Sequence, residues 1–100
     1  MRYLIEYTAR VKYELRELRG LSREGRNKLF ANLDWLKDVS DDYRANPENR
    51  TPDHPNRFVF GNLFSDCGRL RYFLFGVDDS AAAAGVLRLL TVEDGTDPPV

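Results

Sequence analysis

The sequence predicts an α+β domain with the element order β-α-α-β-β-β. Apolar residues recur at helical spacing over residues 9–38, and from about residue 57 they follow the alternating spacing of strands. Only two or three residues separate the two helical segments, so the helices must turn back antiparallel. We therefore expect an N-terminal strand and a helical hairpin that packs on one face of a small, mainly antiparallel four-stranded sheet.

The first two predicted elements are a strand at residues 2–7 and a helix at residues 9–19. Three apolar side chains of the strand fall on one side: Tyr3, Ile5 and Tyr7. Thr8 is suited to cap the start of the helix, and Gly20 is suited to end it. The helix carries one apolar stripe, made of Val11, Leu15 and Leu18.

The second helix is predicted over residues 22–38, with Ser22 as its N-cap. Its apolar positions again repeat at helical spacing: Leu29, Phe30, Leu33 and Leu36. Residues 40–56 contain three prolines and few apolar side chains, which predicts a long loop. Loops of this length are uncommon in a compact domain and are either functional or mobile.

The rest of the chain is strand-like, with predicted strands at residues 57–64, 69–77 and 86–92. A short turn separates the first two of these strands, which makes them a hairpin. The four alanines of residues 81–84 are too few to hold a helix alone. We expect the tail, residues 94–100, to be frayed.

Composition limits the size and class of the protein. The 100 residues suit one domain, residues 1–100, with one core. The longest apolar run is four residues, whereas a membrane-spanning helix needs about 20, so no membrane partner is expected. Glu6 interrupts the apolar start, which argues against a secretory signal, and a single cysteine cannot form an internal disulfide. These observations favour the cytoplasm.

Metal and cofactor chemistry find no support in the sequence. The only soft metal ligands are His54 and Cys67, and they form no zinc-binding pattern. The seven glycines are scattered, so there is no glycine-rich phosphate loop. We therefore expect neither a metal nor a cofactor.

Arginine is the only basic residue type after residue 44, at five positions: Arg50, Arg57, Arg69, Arg71 and Arg88. Its planar guanidinium favours bidentate contacts with oxyanions. Arg69 and Arg71 share a face of their strand, because side chains alternate with period two. We expect this to be the open face, with the intervening side chains under the helices: Leu70, Tyr72 and Leu74.

Arg88 lies between two leucines, where a charged group needs a purpose or a partner. Two interpretations of the arginines stay open at this point. In one, a concave sheet face with three or four arginines receives phosphates. In the other, Arg88 pairs with an acid such as Glu6, while Arg69 and Arg71 are ordinary solvated residues of the sheet.

Three segments also carry a family resemblance. The first is the opening strand with its basic helix, residues 3–18. The second is residues 68–79, in which Gly-x-x-Arg is followed by an apolar run and an acidic turn. The third is the final strand, residues 86–90. In these segments, and in length and element order, the chain resembles the RelE/ParE superfamily of bacterial toxins.

The resemblance implies a RelE-like toxin of a type II toxin–antitoxin system, held inactive by a cognate antitoxin protein. Such toxins are metal-independent endoribonucleases that inhibit translation by cutting messenger RNA on the ribosome. The ribose 2′-OH attacks the adjacent phosphate, and basic side chains stabilise the developing charge. By position, Arg71, Arg69 and Arg88 would be catalytic, with Glu48 as the candidate base. Arg57 would bind the RNA phosphate together with Arg69 and Arg71.

The chain also departs from RelE-like nucleases. Those toxins are usually strongly basic, whereas this chain has a net charge of −1. Their lysine pair has no counterpart after residue 40, and the segment after the last strand, residues 91–95, is acidic. Two alternatives therefore remain: a ParE-like inhibitor of DNA gyrase, or a non-catalytic binding domain of the same fold.

Overall fold

The computed structural model describes residues 2–96, apart from the side chains of Val39 and Ser40. The α+β class and the predicted element order are confirmed. The elements are β1 (Leu4–Tyr7), α1 (Ala9–Arg16), α2 (Arg23–Ala45), β2 (Arg57–Asp66), β3 (Arg69–Asp78) and β4 (Val86–Asp94), with short 3₁₀ helices at Pro47–Asn49 and Ala82–Ala84. None of the helices in this part of the chain combines the length and apolar character that crossing a membrane requires.

The four strands form one mixed sheet in the order β1-β4-β3-β2. The pairs β2–β3 and β3–β4 are antiparallel, as expected for a mainly antiparallel sheet. β1 pairs with β4 in parallel, with Ile5 opposite Leu87. The first and last strands of the chain are thus neighbours, which closes the helical hairpin into the fold.

Both predicted helix caps are present, but both helix lengths differ from the prediction. The hydroxyl of Thr8 accepts a hydrogen bond from the amide of Val11, and that of Ser22 accepts one from Gly25 at 2.9 Å. α1 ends at Arg16 rather than at residue 19, and α2 continues to Ala45 rather than ending near residue 38.

The predicted loop at residues 40–56 is therefore wrong in its first part, which is helical. The extra turns of α2 are held by tertiary contacts that the sequence does not reveal. The Tyr43 ring packs edge-on against Phe60, with 5.0 Å between ring centroids. The Arg44 guanidinium donates to Asp79 at 2.9 Å. In the segment 40–56, Asn46 and residues 50–56 belong to no helix or strand.

The core lies between the helices and one face of the sheet. Its largest fully buried side chains are Phe58, Phe60, Phe73, Phe75, Leu29, Leu33, Leu36, Leu87 and Leu89. Phe30, expected in the same stripe of α2, is instead 42% exposed.

The predicted orientation of β3 is wrong. Arg71, Phe73, Phe75 and Val77 face the helices, whereas Leu70 is 66% exposed. Tyr72 and Leu74 likewise lie on the open face. Strand alternation predicts which residues share a face, but both faces of β3 carry enough apolar side chains to pack against a core. The buried face is the one with two phenylalanines, Phe73 and Phe75.

The ends of the later strands are longer and better held than predicted. β2 and β3 meet at a two-residue turn, Cys67-Gly68, in which both residues have positive φ, as a type I′ turn requires. β4 reaches Asp94, and Thr96 accepts a hydrogen bond from the Tyr72 amide at 2.9 Å. Fraying from residue 94 is therefore wrong, and residues 97–100 of the predicted tail lie outside the described residues.

Candidate functional site

Arg71 lies inside the fold, at the end of the sheet near the β2–β3 turn, and is 4% exposed. Its guanidinium donates to the carbonyl oxygen of Gly20 at 2.8 Å and to that of Arg19 at 3.3 Å. It also forms an ion pair with Asp94 at 3.1 Å and donates to Thr96. These groups belong to the α1–α2 connection and to the end of β4. Arg71 therefore joins the helical hairpin to the sheet.

The prediction that Arg71 lies on the open face is wrong. A guanidinium has five N–H donors, and the contacts of Arg71 occupy most of them. Binding a phosphate would require breaking several of these bonds within a buried environment. Gly20 suits this contact, because it has a φ of +70° and a Cβ there would lie 3.3 Å from the Arg71 Nη1.

Arg69 shares the face of Arg71, as predicted, but it lies at the tip of the hairpin, exposed and opposite Asp66. The Asp66 carboxylate accepts hydrogen bonds from both the amide and the hydroxyl of Ser22, the amide at 2.9 Å. The Ser22 hydroxyl, and then the amide, hold the pKa of Asp66 below its usual value. A Cβ at Gly25 would lie 2.5 Å from the same carboxylate. Asp66 thus fixes the start of α2 against the sheet.

Arg88 pairs with Glu6, as one of the two sequence interpretations expected. Its Nε lies 3.0 Å from the Glu6 carboxylate, and its Nη1 lies 3.9 Å from Asp78. Its side chain is 41% exposed, on the open side of the β1–β4 pair. This arginine therefore has acidic partners in the strands on both sides of β4.

Arg57 opens β2 opposite Asp78 and is exposed. It lines a hollow of about 250 Å³ on the open face, together with Thr51, Val59, Leu74, Phe75, Gly76, Leu90, Thr91 and Glu93. Gly76 leaves room there, because a Cβ at this position would lie 2.7 Å from the Thr91 hydroxyl. Among residues 2–96, no hydrogen bond or ion pair of the Arg57 guanidinium was found. Of the predicted arginines, it is the most available to a ligand.

The structure does not bring the predicted arginines together. Arg57 is opposite Asp78, seven residues along β3 from Arg71. At 3.3 Å per residue, this separation is about 23 Å. Arg57 and Arg88 lie towards one end of the sheet, and Arg69 and Arg71 lie towards the other. One phosphate group cannot contact both pairs.

Glu48 is exposed on the 3₁₀ helix Pro47–Asn49, whose N-cap is Asn46. This segment adjoins the beginning of β2, where Arg50 forms a bridge with Phe58. Glu48 is therefore not on the strand that carries Arg69 and Arg71. A general base and a phosphate-binding arginine are not assembled in the way that the family resemblance implies.

A second polar cluster, which the sequence did not suggest, lies at the opposite end of the helical layer. The Asp79 carboxylate forms ion pairs with Arg44 at 2.9 Å and with Arg50 at 2.8 Å. Arg44 also donates to the Tyr3 hydroxyl, which in turn donates to Asp41 at 2.6 Å. The hydrogen bond to Asp41, with burial, raises the pKa of Tyr3. Each side chain of the cluster has a partner within the chain, so the cluster joins the end of α2 to β1 and to the segment that follows β3.

The open face carries exposed apolar side chains near the β2–β3 turn. Leu63 is 60% exposed and Leu70 is 66% exposed, and half-buried Tyr72 lies opposite Leu63. Tyr72 lies close to the backbone of Gly61, where a Cβ would approach its hydroxyl to 2.8 Å. The sequence signal for this surface is the apolar set Leu70, Tyr72 and Leu74 of β3, which the sequence predicts on the helix-covered face.

His54 and Cys67 lie at opposite ends of the β2–β3 hairpin. Cys67 is an exposed free thiol in the β2–β3 turn, and His54 lines a shallow hollow with Arg57 and Asp78. Within residues 2–96, no cluster of three or more His, Cys, Asp or Glu side chains could hold a metal ion.

Comparison with protein-family models, with curated proteins and with solved structures finds no match to this chain.

Proposed function

We propose that this chain is a RelE/ParE-like toxin domain that acts by binding a protein target rather than by cutting RNA. In this proposal a cognate antitoxin neutralises it in the cytoplasm. The observation that carries the choice of mechanism is the position of Arg71. The arginine that best matches the family's sheet arginine is buried and holds the α1–α2 connection.

The charge of the open face supports the same choice. Arg57 and Arg88 lie there with three carboxylates: Glu6, Asp78 and Glu93. The acids outnumber the bases, and Arg88 is already paired. A messenger RNA phosphate approaching this face would meet net negative charge, which is unfavourable. A protein surface with basic residues would meet complementary charge.

The apolar residues near the β2–β3 turn support a protein target. Leu63 and Leu70 are both largely exposed, and Tyr72 lies opposite Leu63 on the neighbouring strand. Exposed aromatic and aliphatic side chains that lie together are typical of protein-binding surfaces. A nuclease would gain little from an apolar surface here, since RNA phosphates need cationic donors.

The test is induced expression in bacteria, with growth, messenger RNA integrity and DNA supercoiling followed together. We expect growth arrest while messenger RNA stays intact. Lost supercoiling would identify gyrase as the target. Messenger RNA cleavage that requires ribosomes would overturn the binding mechanism and restore the nuclease. No arrest at a normal soluble level would overturn the assignment as a toxin.

A pair of leucine variants locates the binding surface. Leu70→Ser should abolish arrest, because it removes an exposed apolar side chain from the proposed contact. Leu4→Ser is the matched control, since Leu4 is 64% exposed on β1, at the other edge of the sheet. Arg57→Ala should leave arrest unchanged under the binding mechanism and should abolish it under the nuclease mechanism.

A further inference from the structure

The edge of the sheet at β2 has backbone groups that face outward. β2 is the last strand in the order β1-β4-β3-β2. A bridge from Arg50 covers only its beginning, at Phe58. The Thr51 amide donates to the Arg57 carbonyl, so the odd-numbered residues of β2 direct their N–H and C=O groups away from β3. Lys28, which donates to the Ser65 carbonyl at 2.7 Å, agrees with this alternation.

Two outward-facing residues remain between these contacts, Gly61 and Leu63, because Val59 belongs to the bridge with the segment around Arg50. Outside the regular elements, no backbone hydrogen bond within residues 2–96 involves them. Edge strands are commonly protected by proline, lysine, a bulge or a covering segment. Between its charged ends β2 reads Phe-Val-Phe-Gly-Asn-Leu-Phe-Ser, and its register with β3 is unbroken over ten residues. Such an edge is suited to pair with another strand.

Beside this edge, α2 carries an exposed tryptophan. Trp35 is 56% exposed and lines a hollow of about 220 Å³ with Asn32, Phe60, Gly61, Asn62 and Leu63. Below it, the Asn62 amide donates to the Leu29 carbonyl, and Asn32 donates to the Asn62 side chain at 2.7 Å. These bonds fix this part of α2 over the middle of β2. An added strand would therefore contact both the free backbone and the indole.

The charges of α2 indicate which strand would be added. Lys28, Trp35 and Asp42 are seven residues apart, so they lie on one side of the helix. Residues 23–33 carry three bases and one acid, whereas residues 34–45 carry two bases and four acids. The helix thus presents a positive half and a negative half. Trp35 lies midway between the base and the acid of this stripe.

We propose that the β2 edge and the Trp35 side of α2 bind a second copy of this chain. A two-fold axis at Asn62 pairs Gly61 with Leu63 of the second copy, and these are the residues with free backbone groups. The axis also makes the two α2 helices antiparallel on the same side of a continuous eight-stranded sheet. Trp35 then meets its equivalent near the axis, and Lys28 faces Asp42 of the second copy. The surface is complementary to itself in hydrogen bonding and in charge.

The first test is the molar mass in solution by light scattering and sedimentation, over about 1–500 µM protein. We expect the mass to rise from 11.6 kDa towards twice that value. Trp35→Glu should weaken the association at least ~10-fold, as loss of a central interface aromatic does. Tyr13→Glu is the matched control, because Tyr13 is a 63% exposed aromatic on α1, and it should leave the mass unchanged.

Charge exchange tests the antiparallel arrangement. Lys28→Asp and Asp42→Lys should each weaken the dimer, and the double variant should recover part of the loss, since it restores opposite charges across the axis. Hydrogen exchange gives a readout that needs no variant. The amides of Gly61 and Leu63 should become more protected as protein concentration rises, whereas that of Leu70 should not.

Three outcomes would overturn the proposal. One is an 11.6 kDa mass at every concentration. Another is a dimer that Trp35→Glu leaves intact. The third is a chain that stays monomeric alone but gains protection at Gly61 and Leu63 when it binds a different protein. The proposal is independent of the proposed function, because the Leu70→Ser variant should lose growth arrest and still form the dimer.

Discussion

The two faces of the sheet use arginine in different ways. On the helix-covered face, Arg71 donates to two carbonyl oxygens and pairs with Asp94, so its charge is satisfied within the fold. On the open face, Arg57 borders a hollow, and no hydrogen bond of its guanidinium was found within residues 2–96. Residue type and strand position therefore do not by themselves distinguish an arginine that can bind phosphate from one that holds the fold together. The two arginines differ in how many guanidinium N–H donors are already bonded within the chain.

The covered face near the β2–β3 turn contains other polar groups with complete partners. Asp66 is bound by Ser22, and Asn62 is bound by Asn32 and by the Leu29 carbonyl. With Arg71, these groups join the sheet to α2 and to the α1–α2 connection. Satisfied polar groups in a low-dielectric setting hold one arrangement, because each loses its partner if the helices shift. This end of the fold is therefore fixed by hydrogen bonds as well as by apolar packing.

The largest expected effect comes from removing the buried arginine. Arg71→Ala leaves the Gly20 and Arg19 carbonyls without their donor and Asp94 without its ion-pair partner, which should cost about 2–4 kcal/mol. For a domain of this size, each kcal/mol corresponds to roughly 4–8 °C in melting temperature. Thermal or urea unfolding followed by circular dichroism measures the loss.

Arg57→Ala is the control for that experiment. This arginine is exposed on the open face, so its loss should change stability by no more than about 0.5 kcal/mol. Equal stability losses in the two variants would contradict the distinction between the faces. Arg71→Lys should be more stable than Arg71→Ala but less stable than the unchanged protein. An ammonium group cannot bond the two carbonyl oxygens and Asp94 with the geometry of a guanidinium.

The sequence could predict the order of elements, because helical and alternating spacing separate clearly at about residue 57. It also identified the caps at Thr8 and Ser22, whose side chains act within one turn. It could not choose the buried face of β3, since both faces carry large apolar side chains. The face of β3 that is buried depends on partners distant in sequence, such as the Gly20 carbonyl, 51 positions from Arg71.

The length of α2 could not be predicted for a related reason. Residues 40–45 contain few apolar side chains, and the contacts that keep them helical are made by Tyr43 with Phe60 and by Arg44 with Asp79. Among the candidate site residues, the pairing of Arg88 with Glu6 was the one contact that sequence reasoning anticipated. It required only that β1 and β4 be neighbours.

A smaller effect on the free energy of unfolding is expected when the pH is lowered. Asp66 has a lowered pKa because of hydrogen bonds from Ser22, and Asp41 has a lowered pKa because of the hydrogen bond from Tyr3. For Asp94, burial alone would raise the pKa, but hydrogen bonds from Thr96 and the charge of Arg71 outweigh it and lower the pKa. A carboxyl with a lowered pKa in the fold stabilises it above the unfolded pKa, and the contribution is lost as pH falls through the folded pKa.

Stability should therefore change little between neutral pH and about pH 5, and should decrease below about pH 4, where unfolded aspartates begin to protonate. Urea unfolding at successive pH values measures this dependence. Asp66→Asn should be less stable at neutral pH and should show a shallower acid loss. An unchanged slope in this variant would mean that the Ser22 contact contributes little to the acid sensitivity of the covered face.

The open-face ion pair should contribute less than the buried one. Arg88 and Glu6 are 41% and 50% exposed, and exposed pairs typically contribute about 0.2–1 kcal/mol. Arg88→Ala, Glu6→Ala and the double variant form a cycle that isolates their coupling, measured by urea unfolding. The coupling should decrease in high salt, because solvent-exposed charges are screened. A coupling above that range would place Arg88 with Arg71 among the structural arginines.

The smallest expected effect lies in the turn that joins β2 to β3. Cys67 has a φ of 52° and precedes Gly68 with a φ of 76°, and a non-glycine side chain in this region is strained. Asn-Gly is the preferred pair at the centre of such turns, because asparagine tolerates positive φ. Cys67→Asn should therefore stabilise the fold by a few tenths of a kcal/mol, up to about 1 kcal/mol.

Cys67→Val is the opposing variant, since a β-branched side chain is disfavoured at positive φ, and it should lower the melting temperature. Because Cys67 is exposed, no packing is lost in either case, and the two variants should differ in sign. A loss of stability in both would show that the thiol makes a contribution other than turn geometry, such as a hydrogen bond to Asp66, which would connect the turn to the covered face.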